Sequence, residues 1–290
     1  MSETLFKKYN VPVPRYTSYP TANSFGPFDE TDYLKAVETS NDATADNISF
    51  YIHVPFCRHL CHYCGCNSVA MAKPDRITEY FETLHKEIDL LLPHLRKDRR
   101  ISQIHYGGGS PSSMPLHFIR SINEHLLSAF ETIDRPEIAI ECHPGYLKEE
   151  DWHYLLDSGF NRFSLGIQDF NDEVLRCVNR QPALLPVETI MKILREGGAK
   201  VNFDFIYGLP KQSVSAFVST IKKAISLRPD RLVTFSYAHL PSLFKRQMIL
   251  EKAGLPSQNE KLKMFEEASK TLQAAGYVPI GMDHFVLPDD

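Results

Sequence analysis

Short strand-forming runs alternate with helical stretches along most of this 290-residue chain. The six clearest runs are Ile48–Val54, Gln103–Tyr106, Glu137–Glu141, Arg162–Gln168, Lys200–Tyr207 and Arg231–Tyr237. Strands that alternate with helices predict parallel βαβ units, and six such units suit an α/β fold with a partial TIM-like barrel. A doubly wound open sheet is an alternative that strand counting does not exclude, and Gly276–Met282 is a weaker seventh strand candidate.

Between these runs, apolar residues recur at the spacing of amphipathic helices. The clearest stripe, which we expect to be buried, joins Ile77, Tyr80, Phe81, Leu84, Ile88 and Leu91. Further helices are predicted at Leu116–Phe130, Lys148–Ser158, Pro186–Glu196, Val214–Leu227 and Ser257–Ala275. Residues 1–47, punctuated by four prolines, are predicted to form an irregular N-terminal arm before a barrel domain of residues 48–290.

Unusual residues lie at or just after the ends of five predicted strands. In chain order they are a group of cysteines, Gly107–Gly109, Glu141, Gln168 with Asp169, and Gly208–Pro210. Active sites of such barrels are built at the carboxyl ends of the strands. The pattern therefore predicts one site at that rim.

Four of the six cysteines lie within ten residues, in the segment HVPFCRHLCHYCGCNS. Clustered cysteines in a chain of this size indicate metal ligands or redox groups. Iron–sulfur clusters are held by cysteine thiolates, and three thiolates on one loop would leave one iron open to a small chelating molecule. A structural zinc site is the alternative, using Cys57, Cys61, Cys64 and Cys66, or His59 and His62 in place of some of them. Zinc sites usually draw on two separated ligand pairs, and no second Cys/His pair is present.

The spacing C-x3-C-x2-C, with Tyr63 before the third cysteine, resembles the radical S-adenosylmethionine (SAM) superfamily. The finer resemblance is to oxygen-independent coproporphyrinogen III oxidases, and it covers nearly the whole chain. Cys66 and the segment RYTSYPTA distinguish that family from related heme chaperones and heme-degrading enzymes. The segments that carry the resemblance are VPRYTSYPTA, YIHVPFCRHLCHYCGCN, IHYGGGSP, NRFSLGIQDFNDEV, VNRQ, DFIYGLPKQ, PDRLVTFSYAHLP and GMDHF.

The resemblance implies a radical SAM barrel with a [4Fe–4S] cluster on Cys57, Cys61 and Cys64 and with Cys66 nearby. Tyr51, beside the sulfonium end of SAM, and Glu141, at its ribose or methionyl end, would be the catalytic residues. The remaining contacts to this first SAM would be Tyr63 beside the adenine, and Gly108, Gly109 and Ser110, whose exposed backbone polar groups would bind its amino and carboxylate groups.

A second SAM is also implied, in contact with Gln168, Arg180, Asp204 and Ala238. Each assignment has a structural alternative. The glycines can form a tight turn, Glu141 can be a solvated strand end, and Tyr51 can be a core residue. Gln168 can cap a strand, and Arg180 and Asp204 can form an ion pair.

The implied reaction converts two propionates of coproporphyrinogen III into vinyl groups, giving protoporphyrinogen IX in anaerobic heme biosynthesis. Arg15 and Arg58 are candidate partners for the substrate carboxylates. The N-terminal segment lacks the apolar core of a signal peptide, which favours a cytoplasmic enzyme. A monomer that takes electrons from a donor such as flavodoxin or ferredoxin is also expected. The net charge of −4 gives no case for nucleic acid, and no apolar run reaches the roughly 18 residues that span a bilayer.

The chain departs from the family pattern in three ways. Ser110 stands where threonine is common, and Cys142–His143 precede Pro144 where an acidic or amide residue is usual. Similar enzymes continue past GMDHF into a C-terminal region that covers the barrel, and this region is expected to be absent here. A heme chaperone, a heme-degrading methyltransferase-like enzyme and an inactive cluster-binding fragment therefore stay open as alternatives.

Overall fold

The computed structural model describes residues 8, 21, 24–42 and 46–290, and these residues divide into two compact units. The first unit comprises residues 1–44 and 93–96, and the second residues 45–92 and 97–290. Arg15 and most of the segment RYTSYPTA lie outside the described residues. The division predicted from the sequence, after residue 47, stays a prediction.

The first unit contains a helix, α1 (Glu30–Thr39), where the sequence predicted irregular chain. A capping box starts this helix, because the Asp29 carboxylate accepts a hydrogen bond from the Asp32 backbone N–H at 2.9 Å. The Asp32 carboxylate in turn accepts from the Asp29 N–H. The prediction was wrong here because these reciprocal bonds satisfy the open N–H groups of the first turn, which offsets a weak apolar stripe.

The second unit is built on a sheet of eight strands. Its strands are β1 (Asn47–Val54), β4 (Arg100–Gly108), β5 (Thr132–Cys142), β6 (Arg162–Gln168), β7 (Lys200–Tyr207), β8 (Arg231–Ser236), β9 (Val278–Gly281) and β10 (His284–Val286). Two short strands, β2 (Phe56–Cys57) and β3 (Val69–Ala70), form a separate parallel pair.

The order across the sheet is β1-β4-β5-β6-β7-β8-β10-β9, and the first six strands are parallel. Because each crossover moves one strand in the same direction and crossovers are right-handed, the connecting helices lie on one face of the sheet. A doubly wound sheet would reverse its strand order part-way. The predicted six-unit partial barrel is therefore confirmed. The weak seventh candidate forms β9, which pairs antiparallel with β10.

The predicted helices are present, and their ends differ from the prediction by at most three residues. Two short helices, Asp172–Cys177 and Met248–Ala253, were not predicted. The helices of this unit are α2 (Pro74–Leu91), α3 (Leu116–Ala129), α4 (Glu149–Asp157), α5 (Asp172–Cys177), α6 (Val187–Glu196), α7 (Val214–Leu227), α8 (Met248–Ala253) and α9 (Gln258–Ala274). The predicted stripe on α2 is the sheltered face of that helix, with Ile77 and Phe81 buried.

The two faces of the sheet differ in chemistry. Large apolar side chains, among them Phe163 and Phe203, are fully buried and form the core with Trp152 of α4 and Phe217 of α7. Alternation along each strand places successive side chains on opposite faces. The other face is therefore polar, and it carries Tyr51, His105, Glu141, Ser164 and Asp204.

Candidate functional site

The cysteine loop, residues 57–68, is tied down at its base by short backbone pairing. β2 pairs with β3, the Val69 N–H donates to the Pro55 carbonyl at 2.9 Å, and the Met71 N–H donates to Cys57 at 2.9 Å. These bonds hold the two ends of the loop together. The cysteine loop therefore follows β1 with its first and last residues hydrogen-bonded to each other through the backbone.

Side chains from distant parts of the chain hold the tip of this loop. Asn179 donates its side-chain amide to the Leu60 carbonyl at 3.0 Å, and the His62 N–H donates to the Val178 carbonyl at 3.0 Å. Arg246 donates to the Cys64 carbonyl at 2.5 Å and Gln247 to the Tyr63 carbonyl at 3.1 Å. These contacts come from the segment after α5 and from the 3-10 turn before α8. These four hydrogen bonds position the loop from two segments that are distant in the sequence.

The thiols of the loop differ in environment. Cys61 is buried, Cys57 and Cys64 are half-buried, and Cys66 is exposed. The pKa of Cys64 is lowered to about 6, first by a hydrogen bond from the Cys66 side chain and also by the Cys66 N–H and two arginines. Burial raises the pKa of Cys57. Cys64 is thus a thiolate at neutral pH, and it is ready to act as a ligand.

The thiol arrangement bears on the choice between one zinc ion and a cluster. Within residues 46–290 and the other described positions, no three His, Cys, Asp or Glu side chains are grouped to hold one metal ion. A tetrahedral zinc site needs its sulfurs roughly 3.8 Å apart around a single centre. A cubane cluster instead takes each thiolate on a different iron. Cys57, Cys61 and Cys64 all lie close to Arg180, so the three thiols are near neighbours that could each bind a different iron of one cluster.

Tyr51 and Glu141 converge over a glycine on the polar face of the sheet. A Cβ added to Gly107 would lie 2.8 Å from Glu141 Oε1 and 3.0 Å from the Tyr51 hydroxyl, so only glycine leaves room for both. Tyr51 stacks on His105 with ring centroids 5.8 Å apart, and its hydroxyl is 3.2 Å from His53 Nδ1. The ring is 59% exposed, so Tyr51 is not a core residue. Burial, and then the negative charges of Glu141 and Cys66, raise the pKa of Tyr51.

The glycine loop after β4 contacts backbone rather than forming a free turn. The Gly109 N–H donates to the Val54 carbonyl at 2.8 Å, and the Ser110 N–H donates to the Phe56 carbonyl at 3.0 Å. A Cβ at Gly109 would lie 2.5 Å from the Pro55 carbonyl oxygen, and Gly108 has a φ of +114°. These two N–H groups are therefore occupied, so that the predicted backbone contacts to a ligand would have to come from other polar groups of the loop. Carbonyl oxygens and the unpartnered buried Ser110 hydroxyl are what the described loop can offer a ligand.

Arg180 binds the cysteine loop and not Asp204. It donates to the Gly166 carbonyl, and its Nη1 lies 3.8 Å from Cys61 Sγ. Among the described residues, Arg180 and Asp204 make no direct ion pair, although the positive charge of Arg180 still favours the ionised form of Asp204 from a distance. Asp204 instead accepts from Ser164 Oγ and from the side-chain amide of Asn202, both at 2.9 Å. Burial raises its pKa to about 6.

The three remaining predicted residues, Ala238, Tyr63 and Gln168, lie near the loop or at the carboxyl ends of the strands. The Ala238 carbonyl accepts a hydrogen bond at 3.2 Å from Gln247, the residue that also donates to the Tyr63 carbonyl. Tyr63 packs against an apolar cluster that joins α5, the end of β7 and α8 and includes Val178, Leu209 and Leu250. Gln168 ends β6 with a φ of +67°, and its buried Oε1 has no partner among the described residues. Gln168 therefore presents an unsatisfied acceptor, as a ligand-contacting residue would.

Two aromatic residues beside the loop were missed by sequence reasoning. His143 stacks on Tyr146 with centroids 3.9 Å apart, and the Tyr146 hydroxyl lies 2.9 Å from His59 Nδ1. Arg58 lies 5.1 Å over the Tyr146 ring. Burial, with Arg180 nearby, lowers the pKa of His143 to about 2, so this imidazole is neutral. The unusual residues before Pro144 were the available signal, and they were interpreted only as a change of turn.

The loop of three cysteines at the carboxyl edge of a parallel partial barrel agrees with a match to a family model. The family described as the Radical SAM superfamily matches residues 51–224. The chain belongs to the radical SAM superfamily. Membership of this superfamily implies a [4Fe–4S] cluster and SAM, and the three neighbouring thiols are available to hold such a cluster.

Curated radical SAM relatives match over almost the entire chain. An oxygen-independent coproporphyrinogen III oxidase of Salmonella typhimurium is 41% identical over 288 residues, covering 99% of this chain and 62% of the relative. The Pseudomonas aeruginosa enzyme of the same name is 40% identical and is covered to 63%. The solved structure of the Escherichia coli enzyme, described as a radical SAM enzyme, matches this chain with a TM-score of 0.89 and 39% sequence identity. The match covers 99% of this chain and 64% of the Escherichia coli chain.

The relatives are longer than this chain, which spans somewhat less than two thirds of their length. None of the described helices is long and apolar enough to cross a membrane.

Proposed function

We propose that this chain carries out the oxidative decarboxylation of coproporphyrinogen III, the reaction for which its relatives are named. The observation that carries the proposal is the convergence of Tyr51 and Glu141 over Gly107, near a cysteine loop that Arg246 holds by a hydrogen bond to the Cys64 carbonyl. Each of two propionates loses one hydrogen atom, one carbon dioxide and one electron, and so becomes a vinyl group. An electron acceptor is therefore required, as is a donor such as flavodoxin or ferredoxin for the cluster.

In this proposal Cys57, Cys61 and Cys64 hold the cluster. When bound, the cluster and SAM supply the one-electron chemistry that removes a hydrogen atom from the substrate. Cys61 receives a hydrogen bond from Arg180 and Cys64 from the Cys66 N–H. Such bonds to sulfur stabilise negative charge on the ligands and tune the potential of a cluster.

The polar face of the sheet would hold SAM. Tyr51 presents an exposed ring and Glu141 a half-exposed carboxylate on either side of Gly107, while Tyr63 and the carbonyls of Gly108 and Gly109 border the loop. The unpartnered Ser110 hydroxyl adds a donor. These groups provide one aromatic surface, one anion and several acceptors, which suits a cationic sulfonium and an ammonium group.

A second SAM belongs to the same proposal. Gln168 ends β6, Asp204 lies within β7, and Ala238 follows β8. Arg180 follows α5 and reaches back to the Gly166 carbonyl of β6. Asp204 is held by two hydrogen bonds and Gln168 has a free acceptor. Both can therefore bind a polar ligand without rearrangement of the strand ends.

Arg58 remains a candidate for a substrate carboxylate, although Tyr146 and the Ser113 carbonyl already contact it. A cytoplasmic location, a monomeric state and the division after residue 47 complete the proposal.

The test is an anaerobic reconstitution with iron and sulfide followed by assays for 5′-deoxyadenosine and for decarboxylated porphyrinogen. We expect both products from the wild-type chain and neither from Cys57→Ala, Cys61→Ala or Cys64→Ala. Cys177→Ser is the matched control, because this thiol lies at the end of α5 and is not part of the loop. Cleavage of SAM without decarboxylation would refute the substrate assignment, and heme binding in its place would favour a chaperone.

A further inference from the structure

His105 lies on the polar face of the sheet, next to both side chains that border the gap at Gly107. In the strand register, His105 of β4 pairs with Tyr51 of β1 on one side and with Ala139 of β5 on the other. Because alternate residues of a strand share a face, Gly107 and Glu141 come next along β4 and β5 on that face. His105 is therefore one side-chain repeat before the gap.

The His105 ring contacts the face of the Tyr51 ring. Their centroids are 5.8 Å apart and their planes are inclined by 20°. The Tyr51 hydroxyl, at the other end of the side chain, lies 3.2 Å from His53 Nδ1. Since more than half of the Tyr51 side chain is exposed, it has few packing contacts, and a stacked neighbour has a large share in fixing its orientation.

The same histidine contacts Glu141 through its outer nitrogen. His105 Nε2 lies 3.4 Å from Glu141 Oε1, and among the described residues it is the only hydrogen-bond partner of that carboxylate. A carboxylate only accepts, so Nε2 carries the proton of this bond. Hydrogen bonds of this kind are often long before a ligand binds and shorten in the complex.

The contact selects one of the two carboxylate oxygens. Oε1 of Glu141 is also the atom closest to the Cβ that Gly107 lacks, at 2.8 Å, so His105 holds the oxygen that borders the gap. The other oxygen, Oε2, has no partner among the described residues and can accept a hydrogen bond from a ligand.

We propose that His105 is a positioning residue of the SAM site, where its ring supports Tyr51 and its Nε2–H orients Glu141. The inference rests on the proposed binding of SAM to this face. Groups that are held in place before binding lose less conformational entropy when the ligand arrives, so His105 raises the affinity for SAM through its two neighbours.

The test separates the two contacts by substitution. His105→Phe keeps a flat ring against Tyr51 and has no donor, whereas His105→Gln keeps an N–H donor near the position of Nε2 and has no ring. The dissociation constant of SAM is measured by titrating the electron paramagnetic resonance signal of the reduced, anaerobically reconstituted chain. Each variant should bind SAM about 3- to 10-fold more weakly, the range expected for one net hydrogen bond or one aromatic contact.

A second background distinguishes positioning from a structural role. In Glu141→Ala the further change His105→Phe should leave the affinity for SAM within about twofold, because the contact that it removes is already absent. His105→Gln should still weaken binding in that background, since the contact with Tyr51 is independent of Glu141. Iron content and urea unfolding should stay at the wild-type level in all these variants, because about a third of the His105 side chain is exposed.

His153→Gln is the matched control, because His153 is an exposed histidine on α4, and its affinity for SAM should equal that of the wild type. Wild-type affinity in His105→Phe would overturn the proposal, as would an equal loss with and without the Glu141 carboxylate. A chain that shows the expected pattern and yet leaves the porphyrinogen intact would support the role of His105 and refute the proposed substrate.

Discussion

The sharpest consequence of the site geometry concerns two glycines that lie two residues apart. Gly107→Ala places a Cβ 2.8 Å from Glu141 Oε1 and 3.0 Å from the Tyr51 hydroxyl, both of which are movable ends of side chains. Gly109→Ala places a Cβ 2.5 Å from the Pro55 carbonyl oxygen, which belongs to the backbone that leads into the cysteine loop. The same chemical change should therefore damage function in one case and folding in the other.

The magnitudes follow from these contacts. Ordinary contact begins near 3.4 Å, so Glu141 and Tyr51 must each retreat by about half an ångström in Gly107→Ala. A misplacement of about 1 Å can cost about 100-fold in rate, so we expect a loss of about 10- to 100-fold. The free energy of unfolding should change by less than about 1 kcal/mol, because reduced freedom of the unfolded chain offsets mild crowding. Gly109→Ala should cost about 1–3 kcal/mol or more, as overpacking against fixed atoms does.

The assays are urea unfolding of the apo chain, the cluster absorbance after reconstitution, and the rate of 5′-deoxyadenosine formation. Gly107→Ala should keep wild-type stability and cluster content while it loses rate. Gly109→Ala should lose stability and cluster content together. The reasoning would be refuted if Gly107→Ala turned over at the wild-type rate, or if both variants were equally stable.

Three other outcomes are expected. In the apo chain, the rate of Cys64 alkylation should rise with pH around a pKa of about 6, and Arg246→Gln should raise that pKa because it removes a nearby positive charge. Mass spectrometry of the labelled peptides measures this profile. A profile centred near 9 would contradict the prediction. Asp204→Asn should stabilise the apo chain by about 1–3 kcal/mol at pH 8, because burial raises the folded pKa to about 6 and the ionised carboxylate is disfavoured above it. This gain should vanish at pH 4, and an equal gain at both values in urea unfolding would contradict it. Asn123→Leu should cost about 1–3 kcal/mol in the same assay, since it leaves the buried Tyr106 hydroxyl without its 2.7 Å partner; a change below 0.5 kcal/mol, on the scale of exposed surface substitutions, would argue against it.

The six parallel strands could be predicted because each is a short apolar run bounded by turn residues. The long helices could be predicted because their apolar stripes repeat over several turns, as in α2. The helices α5 and α8 contain six residues each, which is too short for a period of 3.6 to stand out. The capping residues of α1, Asp29 and Asp32, can be identified in the sequence. They were not recognised because the prolines earlier in residues 1–47 favour irregular chain.

The candidate site was predictable in its residues and not in its contacts. The cysteine spacing indicated a cluster, yet nothing local could show that Arg180 contacts Cys61, 119 residues earlier in the chain. The N–H groups of Gly109 and Ser110 are occupied by the carbonyls of Val54 in β1 and Phe56 in β2. Such pairings arise only when strands meet, because tertiary contacts and not local preferences decide them.

The central claim is that three neighbouring thiolates leave one iron of a [4Fe–4S] cluster free to bind SAM. Electron paramagnetic resonance of the dithionite-reduced, anaerobically reconstituted chain tests it most directly. We predict a [4Fe–4S]⁺ signal that changes when SAM is added, and that is lost in each of Cys57→Ala, Cys61→Ala and Cys64→Ala but kept in Cys177→Ser. Bound zinc with no iron, a signal indifferent to SAM, or an intact cluster after removal of any one of the three thiols would contradict the claim.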